Sequence, residues 1–285
     1  MTHADAARRK YRALLKGDAC LFPGSVFDPM SARIAQDLGY EIGMFAGSVA
    51  SMVVLGAPDI VMLTLTEFAE QCRRITRAAP ALPLMVDADH GYGNALNVMR
   101  TVAELEGAGI AAMTIEDTEL PPAFSAGGKG RLISLEEGVG KVKAALAARQ
   151  SAELAIIGRT NLGLTVLEDG LARAKAYEAQ GADAIFLVGI KAREQLDAFA
   201  AALKVPLMLG QAPADMADPA YLASRGVRVA LQAHLPIRAA MQAVRDTLEA
   251  QRAGRKPDER ALAPPELMKR LTREDDYDGW AKDFM

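Results

Sequence analysis

The chain has 285 residues, 51% hydrophobic and 24% charged, which is enough apolar material for a large buried core. Lysine and arginine number 33 against 36 acids, a net charge of -3, so there is no basic footprint for nucleic acid or an anionic membrane. No apolar stretch reaches the roughly 20 residues of a membrane helix. Residues Met1–Lys10 are polar and lack an apolar signal core, and Cys20 and Cys72 form no metal-binding spacing. The expectation is a cytoplasmic protein with two buried, reduced thiols.

Taken in chain order, short apolar runs alternate with helical patterns. The runs are Cys20–Phe22, Ile42–Ala46, Leu84–Val86, Ala111–Ile115, Leu154–Ile157, Ala184–Val188, Leu207–Leu209 and Arg228–Leu231. The helical stretches are Asp28–Leu38, Thr66–Ala78, Ala95–Ala108, Ser134–Arg149, Thr165–Gln180, Ala192–Ala201, Asp218–Ser224 and Pro236–Ala250. Asp28, Thr66, Ser134 and Asp218 are read as helix caps, and glycines after Leu38, Ala108 and Gln180 as helix stops. Eight alternating units predict a closed (β/α)₈ barrel of the TIM type rather than an open sheet.

Two segments stand outside the repeat. Thr118–Arg131 carries Pro121–Pro122 and a glycine-rich stretch directly after the fourth run, and is expected to form a mobile lid over the catalytic face. Residues 251–285 are expected to form extra C-terminal helices appended to a single barrel domain spanning 1–285. Trp280 is the only tryptophan, and so apolar a ring near the chain's end implies packing against a neighbour, such as another subunit. His3 is expected in a mobile terminus.

Catalysis in such barrels sits at the C-terminal ends of the strands. Asp87 and Asp89 follow the third run, and Glu116 and Asp117 follow the fourth. Carboxylates that converge there repel one another unless a cation holds them, and an all-oxygen set points to a hard ion, Mg²⁺ or Mn²⁺. Gly91 and Gly93 let the chain turn tightly beside them, and His90 is read as a structural residue of that turn. The second run ends in Ala46, Gly47 and Ser48, and the main-chain amides of Gly47 and Ser48 are placed to bind a substrate carboxylate. The fifth ends in Gly158–Asn161, where the Arg159 guanidinium can fork onto a second carboxylate or pair with an acid such as Glu116. The eighth ends in His234. Together these suit an α-keto acid held on a metal acting as a Lewis acid.

At these residues the chain resembles the isocitrate lyase/phosphoenolpyruvate mutase superfamily. The resemblance rests on Ala46–Ser48, Leu55–Asp59, Asp87–Gly93, Ile115–Asp117 and Gly158–Asn161, and covers nearly the whole chain. It implies that Asp87 binds Mg²⁺ directly, that Asp59, Asp89 and Glu116 hold its waters, and that Arg159 binds substrate carboxylate. It also implies a homotetramer with exchanged C-terminal helices. Lyases of this family carry a Cys-Gly-His sequence in the lid, and the phosphonate-handling members an Asn-Ser ending; Glu119–Lys129 has neither. His234 replaces a small polar residue of other members and is placed to hydrogen-bond a carboxylate. The chain most resembles the oxaloacetate decarboxylase branch, which implies decarboxylation to pyruvate. The alternatives are a carbon–carbon lyase of a 2-hydroxy dicarboxylate, a hydrolase of a 3-substituted pyruvate, and a barrel that binds a keto acid without turnover.

Overall fold

The computed structural model describes residues 3–122 and 130–285. Eight parallel strands form one sheet in sequential order: β1 (Gly24–Ser25), β2 (Gly43–Phe45), β3 (Leu84–Asp87), β4 (Ala112–Glu116), β5 (Ala155–Asn161), β6 (Ala184–Val188), β7 (Leu207–Leu209) and β8 (Val227–Ala230). The ring closes between β8 and the segment before β1. Leu21 bridges Val229, the Leu21 amide donates to the Arg228 carbonyl at 2.9 Å, and the Ala230 amide donates to the Leu21 carbonyl at 2.9 Å. The expected (β/α)₈ barrel is therefore the observed one. Its strands lie between interior and helices and are buried on both faces, which is why they read as continuous apolar runs.

The helices wrap the outside: α1 (His3–Lys16), α2 (Pro29–Asp37), α3 (Gly47–Ala50), α4 (Leu65–Ala78), α5 (Ala95–Gly107), α6 (Leu135–Ala148), α7 (Leu167–Gln180), α8 (Arg193–Ala202), α9 (Pro219–Ser224) and α10 (Leu235–Arg252). The caps at Asp28, Ser134 and Asp218 each accept a main-chain amide of the first turn. The fourth helix begins one residue earlier than expected. Its cap is Thr64 rather than Thr66, because Thr64 and Glu67 form a reciprocal capping box.

Three further expectations are corrected, and one element is new. The first strand is Gly24–Ser25, not Cys20–Phe22, whose only ladder contribution is the Leu21 bridge. The fifth strand continues to Asn161, so Arg159 lies within the sheet rather than beyond it. Residues 51–55, between α3 and the next helix, form a π-helical turn. His3 opens α1 rather than lying in a loose terminus. That helix docks firmly: Tyr11 is fully buried with its hydroxyl 3.3 Å from the Met85 sulfur, and Arg8 donates to the carbonyls of Ile110 and Glu106 at 3.1 and 2.7 Å.

The chain ends in α11 (Pro265–Thr272) and α12 (Glu274–Phe284). The first packs on α2, where Arg33 donates to the Leu271 carbonyl at 2.7 Å and Arg270 pairs with Asp37 at 2.8 Å. The second exposes Tyr277, Trp280 and Phe284, spaced along one stripe. Of the expected lid, residues 123–129 lie outside the described residues. Its two ends run antiparallel, with Thr118 bridged to Leu132 and the Glu119 amide donating to the Arg131 carbonyl at 2.8 Å. Cys20 and Cys72 are both buried and free. Among the described residues no helix is long and apolar enough to cross a membrane.

Candidate active site

The strand register places the acids. Asp87 ends β3 opposite Thr114 of β4, and the Thr114 hydroxyl donates to Asp87 Oδ1 at 2.8 Å. Two residues further along β4, on the same side of the pleat, Glu116 stands opposite Arg159 of β5, which in turn stands opposite Phe186 of β6. Arg159 therefore reaches both neighbours. Its Nη1 bonds Asp87, its Nη2 lies 2.9 Å from Glu116, and its guanidinium lies 5.3 Å from the Phe186 ring centre. Its Nε is buried without a partner among the described residues.

A cleft of about 360 Å³ opens over this layer, lined by Ser48, Asp59, Asp87, Asp89, Glu116, Arg159 and His234, with Asn161 beside them. Hollows of about 450 Å³ elsewhere on the barrel gather no acids. Gly47 stands just behind the cleft. A Cβ there would come within 2.7 and 2.8 Å of the Asp89 carboxylate oxygens, so glycine is what allows Asp89 to lie against α3. The structure thus gathers Ser48, Asp59, Asp87, Asp89, Glu116, Arg159 and His234 in one cleft, with Gly47 behind it. Asp117 turns the other way, accepting from Thr160, Tyr177 and Arg173 at 2.9, 2.7 and 3.2 Å.

The charges are strongly perturbed. Burial, reinforced by Asp87 and Glu116, holds Asp89 well above the usual carboxylate range. Burial pushes Glu116 up to about 7 against the opposing pull of Arg159. Burial and the Asp87 charge also raise Asp59. The Arg159 guanidinium is held more firmly protonated than usual, because Asp87 and Glu116 outweigh its burial. Burial lowers His234 despite the opposing pull of Asp87. Among the described residues, no group of three or more histidine, cysteine, aspartate or glutamate side chains is drawn close enough to hold a metal ion as it stands. Arg159 spans Asp87 and Glu116 instead. The chemistry of the donor set nevertheless fits a hard divalent cation: all the donors are oxygens, and burial and mutual repulsion penalise their ionised forms.

Ser25 is a site residue that sequence reasoning missed. Its hydroxyl lies 2.8 Å from His234 Nδ1, a contact that orients the ring and engages one of its two nitrogens. A serine in a two-residue strand carries no sequence signal. Thr114 and Phe186 were equally silent, since each looks like ordinary strand filling.

Comparison with known proteins matches this architecture. The family model for phosphoenolpyruvate phosphomutase fits residues 11–252. An oxaloacetate decarboxylase of Bradyrhizobium sp. (strain ORS 278) is 56% identical over 280 residues, covering 98% of this chain and 96% of its own. Another, from Bradyrhizobium sp. (strain BTAi1 / ATCC BAA-1182), is 58% identical over 271 residues, covering 94% and 93%. Among solved structures, oxaloacetate acetylhydrolase in complex with the product oxalate superposes with a TM-score of 0.86 at 26% identity, covering 98% of both chains. Phosphonopyruvate hydrolase in complex with oxalate and Mg²⁺ superposes with a TM-score of 0.82 at 28% identity, covering 98% of this chain and 99% of its own. The chain belongs to the phosphoenolpyruvate mutase/isocitrate lyase superfamily, and is similar over nearly its whole length to oxaloacetate decarboxylases.

Proposed function

We propose that this enzyme is a lyase that removes the distal carboxyl group of oxaloacetate, giving pyruvate and CO₂. A divalent cation, Mg²⁺ or Mn²⁺, is assigned to Asp87, with Asp59, Asp89 and Glu116 around it. The observation that carries the reading is the gathering of these four acids and Arg159 in one cleft, in a chain 56–58% identical to oxaloacetate decarboxylases. The Mg²⁺ and oxalate of the phosphonopyruvate hydrolase complex support a hard ion and a small planar dianion as ligands of this kind of site. When bound, such an ion supplies a Lewis acid for the charge that accumulates on the keto oxygen.

The chain's own groups orient and select. The amides of Gly47 and Ser48 are assigned to the carboxylate that is retained. Arg159 aligns the carboxylate that leaves, so that the breaking carbon–carbon bond stands perpendicular to the keto plane. The electron pair of that bond passes into the keto group, CO₂ departs carrying no proton, and the methylene carbon then takes up a proton from solvent water. Strong pairing by Arg159 also stabilises the ground-state carboxylate, so its contribution is alignment more than charge. Ser25 holds His234, whose Nε2 is assigned a hydrogen bond to substrate. No step here needs a thiol, consistent with both cysteines being buried.

Solved structures that carry the carbon–carbon lyase and hydrolase alternatives, 2,3-dimethylmalate lyase, oxaloacetate acetylhydrolase and phosphonopyruvate hydrolase, are 27%, 26% and 28% identical to this chain. The decisive experiment measures pyruvate and CO₂ release from oxaloacetate with and without Mg²⁺, against the rate with metal alone. Release of oxalate and acetate instead, or no rate above background, would overturn the reading. We further assign a cytoplasmic homotetramer with exchanged C-terminal helices. It is supported by the exposed Tyr277–Trp280–Phe284 stripe and by an apolar groove lined by Ile34, Leu38, Tyr40 and Leu235 between α2 and α10. Sedimentation of Trp280→Ser should reveal a smaller species; an unchanged assembly would remove that support.

A further inference from the structure

The turn that carries Asp89 is held open by groups from other elements. Asp89, Gly91, Tyr92 and Gly93 have φ of 48°, 78°, 61° and 147°, the left-handed side of backbone space, which costs energy for Asp89 and Tyr92. Such a turn persists only when its surroundings over-determine it. Here each of three successive carbonyls has its own donor. The Glu116 amide reaches the Asp89 carbonyl at 2.9 Å. The Lys141 ammonium reaches the His90 carbonyl at 3.0 Å. The Thr101 hydroxyl reaches the Gly91 carbonyl at 3.0 Å.

Lys141 is the unusual member of this set. It lies on α6, 51 residues along the chain from His90, and is 3% exposed. Buried lysines are normally paired with an acid, yet no carboxylate lies within ion-pair distance of Lys141 among the described residues, although Glu137, Glu116 and Asp117 are near enough to act on its charge. A helix-borne ammonium spent on one main-chain carbonyl is costly unless the carbonyl's position matters.

We propose that Lys141, seconded by Thr101, is a positioning residue that holds the 89–93 turn in its strained form and so sets the affinity of the acidic cleft for its divalent ion. This rests on the metal assignment above. Groups that orient ligands typically change metal affinity by about 10–100-fold when removed. The test is a thermal-melt titration with MnCl₂ or MgCl₂ of the full-length protein after chelation, which reads binding without reference to turnover. In Lys141→Met, which keeps the apolar stem, the midpoint of the metal-induced rise should move to roughly tenfold higher concentration. Lys141→Arg retains a donor and should fall between it and the parent protein. At saturating metal the KM for oxaloacetate should stay near the parent value, because the turn carries an acid assigned to the metal and no group assigned to the substrate. Absence of any metal-induced shift in the parent protein would overturn the metal assignment itself. A normal shift in the parent with an unmoved midpoint in Lys141→Met would overturn the role of Lys141 alone. Should Lys141→Met fail to fold, Thr101→Val decides the point: it frees the adjacent Gly91 carbonyl, and an unmoved midpoint there would overturn the clamp.

Discussion

Replacing Arg159 with methionine removes a guanidinium from between two carboxylates while keeping most of the side chain's bulk. The three side chains are 17%, 13% and 5% exposed for Arg159, Asp87 and Glu116, so solvent screens them little. Removing one partner of a buried pair costs about 3–5 kcal/mol, because the remaining charges are left buried and unmatched. A chain of this length loses roughly 2–3 °C of melting temperature per kcal/mol, which gives a fall of roughly 6–15 °C in chelator. Millimolar Mg²⁺ neutralises the same acids, so it should recover most of the fall. Lowering the pH should recover part of it, because Asp89 and Glu116 already tend toward the protonated form. Differential scanning calorimetry at two pH values, with and without Mg²⁺, measures all four conditions. A fall below about 2 °C in chelator, or a larger fall that Mg²⁺ leaves untouched, would show that Arg159 is not the counter-charge of the acidic set.

Three other outcomes follow from the same geometry. In Gly47→Ala the new methyl must displace the Asp89 carboxylate from 2.7 Å, so the metal midpoint should rise roughly tenfold; an unchanged midpoint would mean that Asp89 does not bear on the metal. The stability of the chelated parent protein relative to chelated Glu116→Gln should rise as the pH falls from about 8 toward 5, since the folded-state value of Glu116, about 7, lies above its ordinary 4.5, while His90 and His234 act alike in both proteins. The sign is that of a raised group, whose stabilisation is complete below the unfolded value and lost as pH rises through the folded one; a profile that falls with acidification over this range would contradict it. Oxalate, which is planar and dianionic like the enolate of pyruvate, should inhibit more tightly than pyruvate at saturating Mg²⁺, and equal inhibition constants would deprive the decarboxylase reading of its transition-state logic.

The barrel and its acids are legible in the sequence for a physical reason. Strands such as Ala112–Glu116 are buried on both faces, so they appear as apolar runs, and a carboxylate at the end of such a run has little structural excuse. The first strand is not legible, because Gly24 and Ser25 have no apolar run and the one nearby, Cys20–Phe22, supplies a single bridge. The first helix hides as well: its buried face includes Arg8, which serves carbonyls about 100 residues away. Arg159 is recognisable as a cation among acids, but only the pairing of β5 with β4 reveals that its fork is engaged by Asp87 and Glu116. Ser25, Thr114 and Lys141 act through single hydrogen bonds from other elements, and long-range partnerships of that kind leave no local pattern.

The closure of the ring has a consequence for how the molecule breathes. Between β8 and the segment preceding β1 the ladder amounts to one bridge, β1 itself has two residues, and the β7–β8 pairing is interrupted by a register shift between Leu207 and Met208. The staves are least hooped there, so amide protons around Leu21 and Val229 should exchange ahead of those in β4 and β5. The Ser25–His234 hydrogen bond spans that same join, from β1 to the end of β8. A ligand gripped by His234 would act as a rivet across the seam, and the rate at which this join opens would report on whether the cleft is filled.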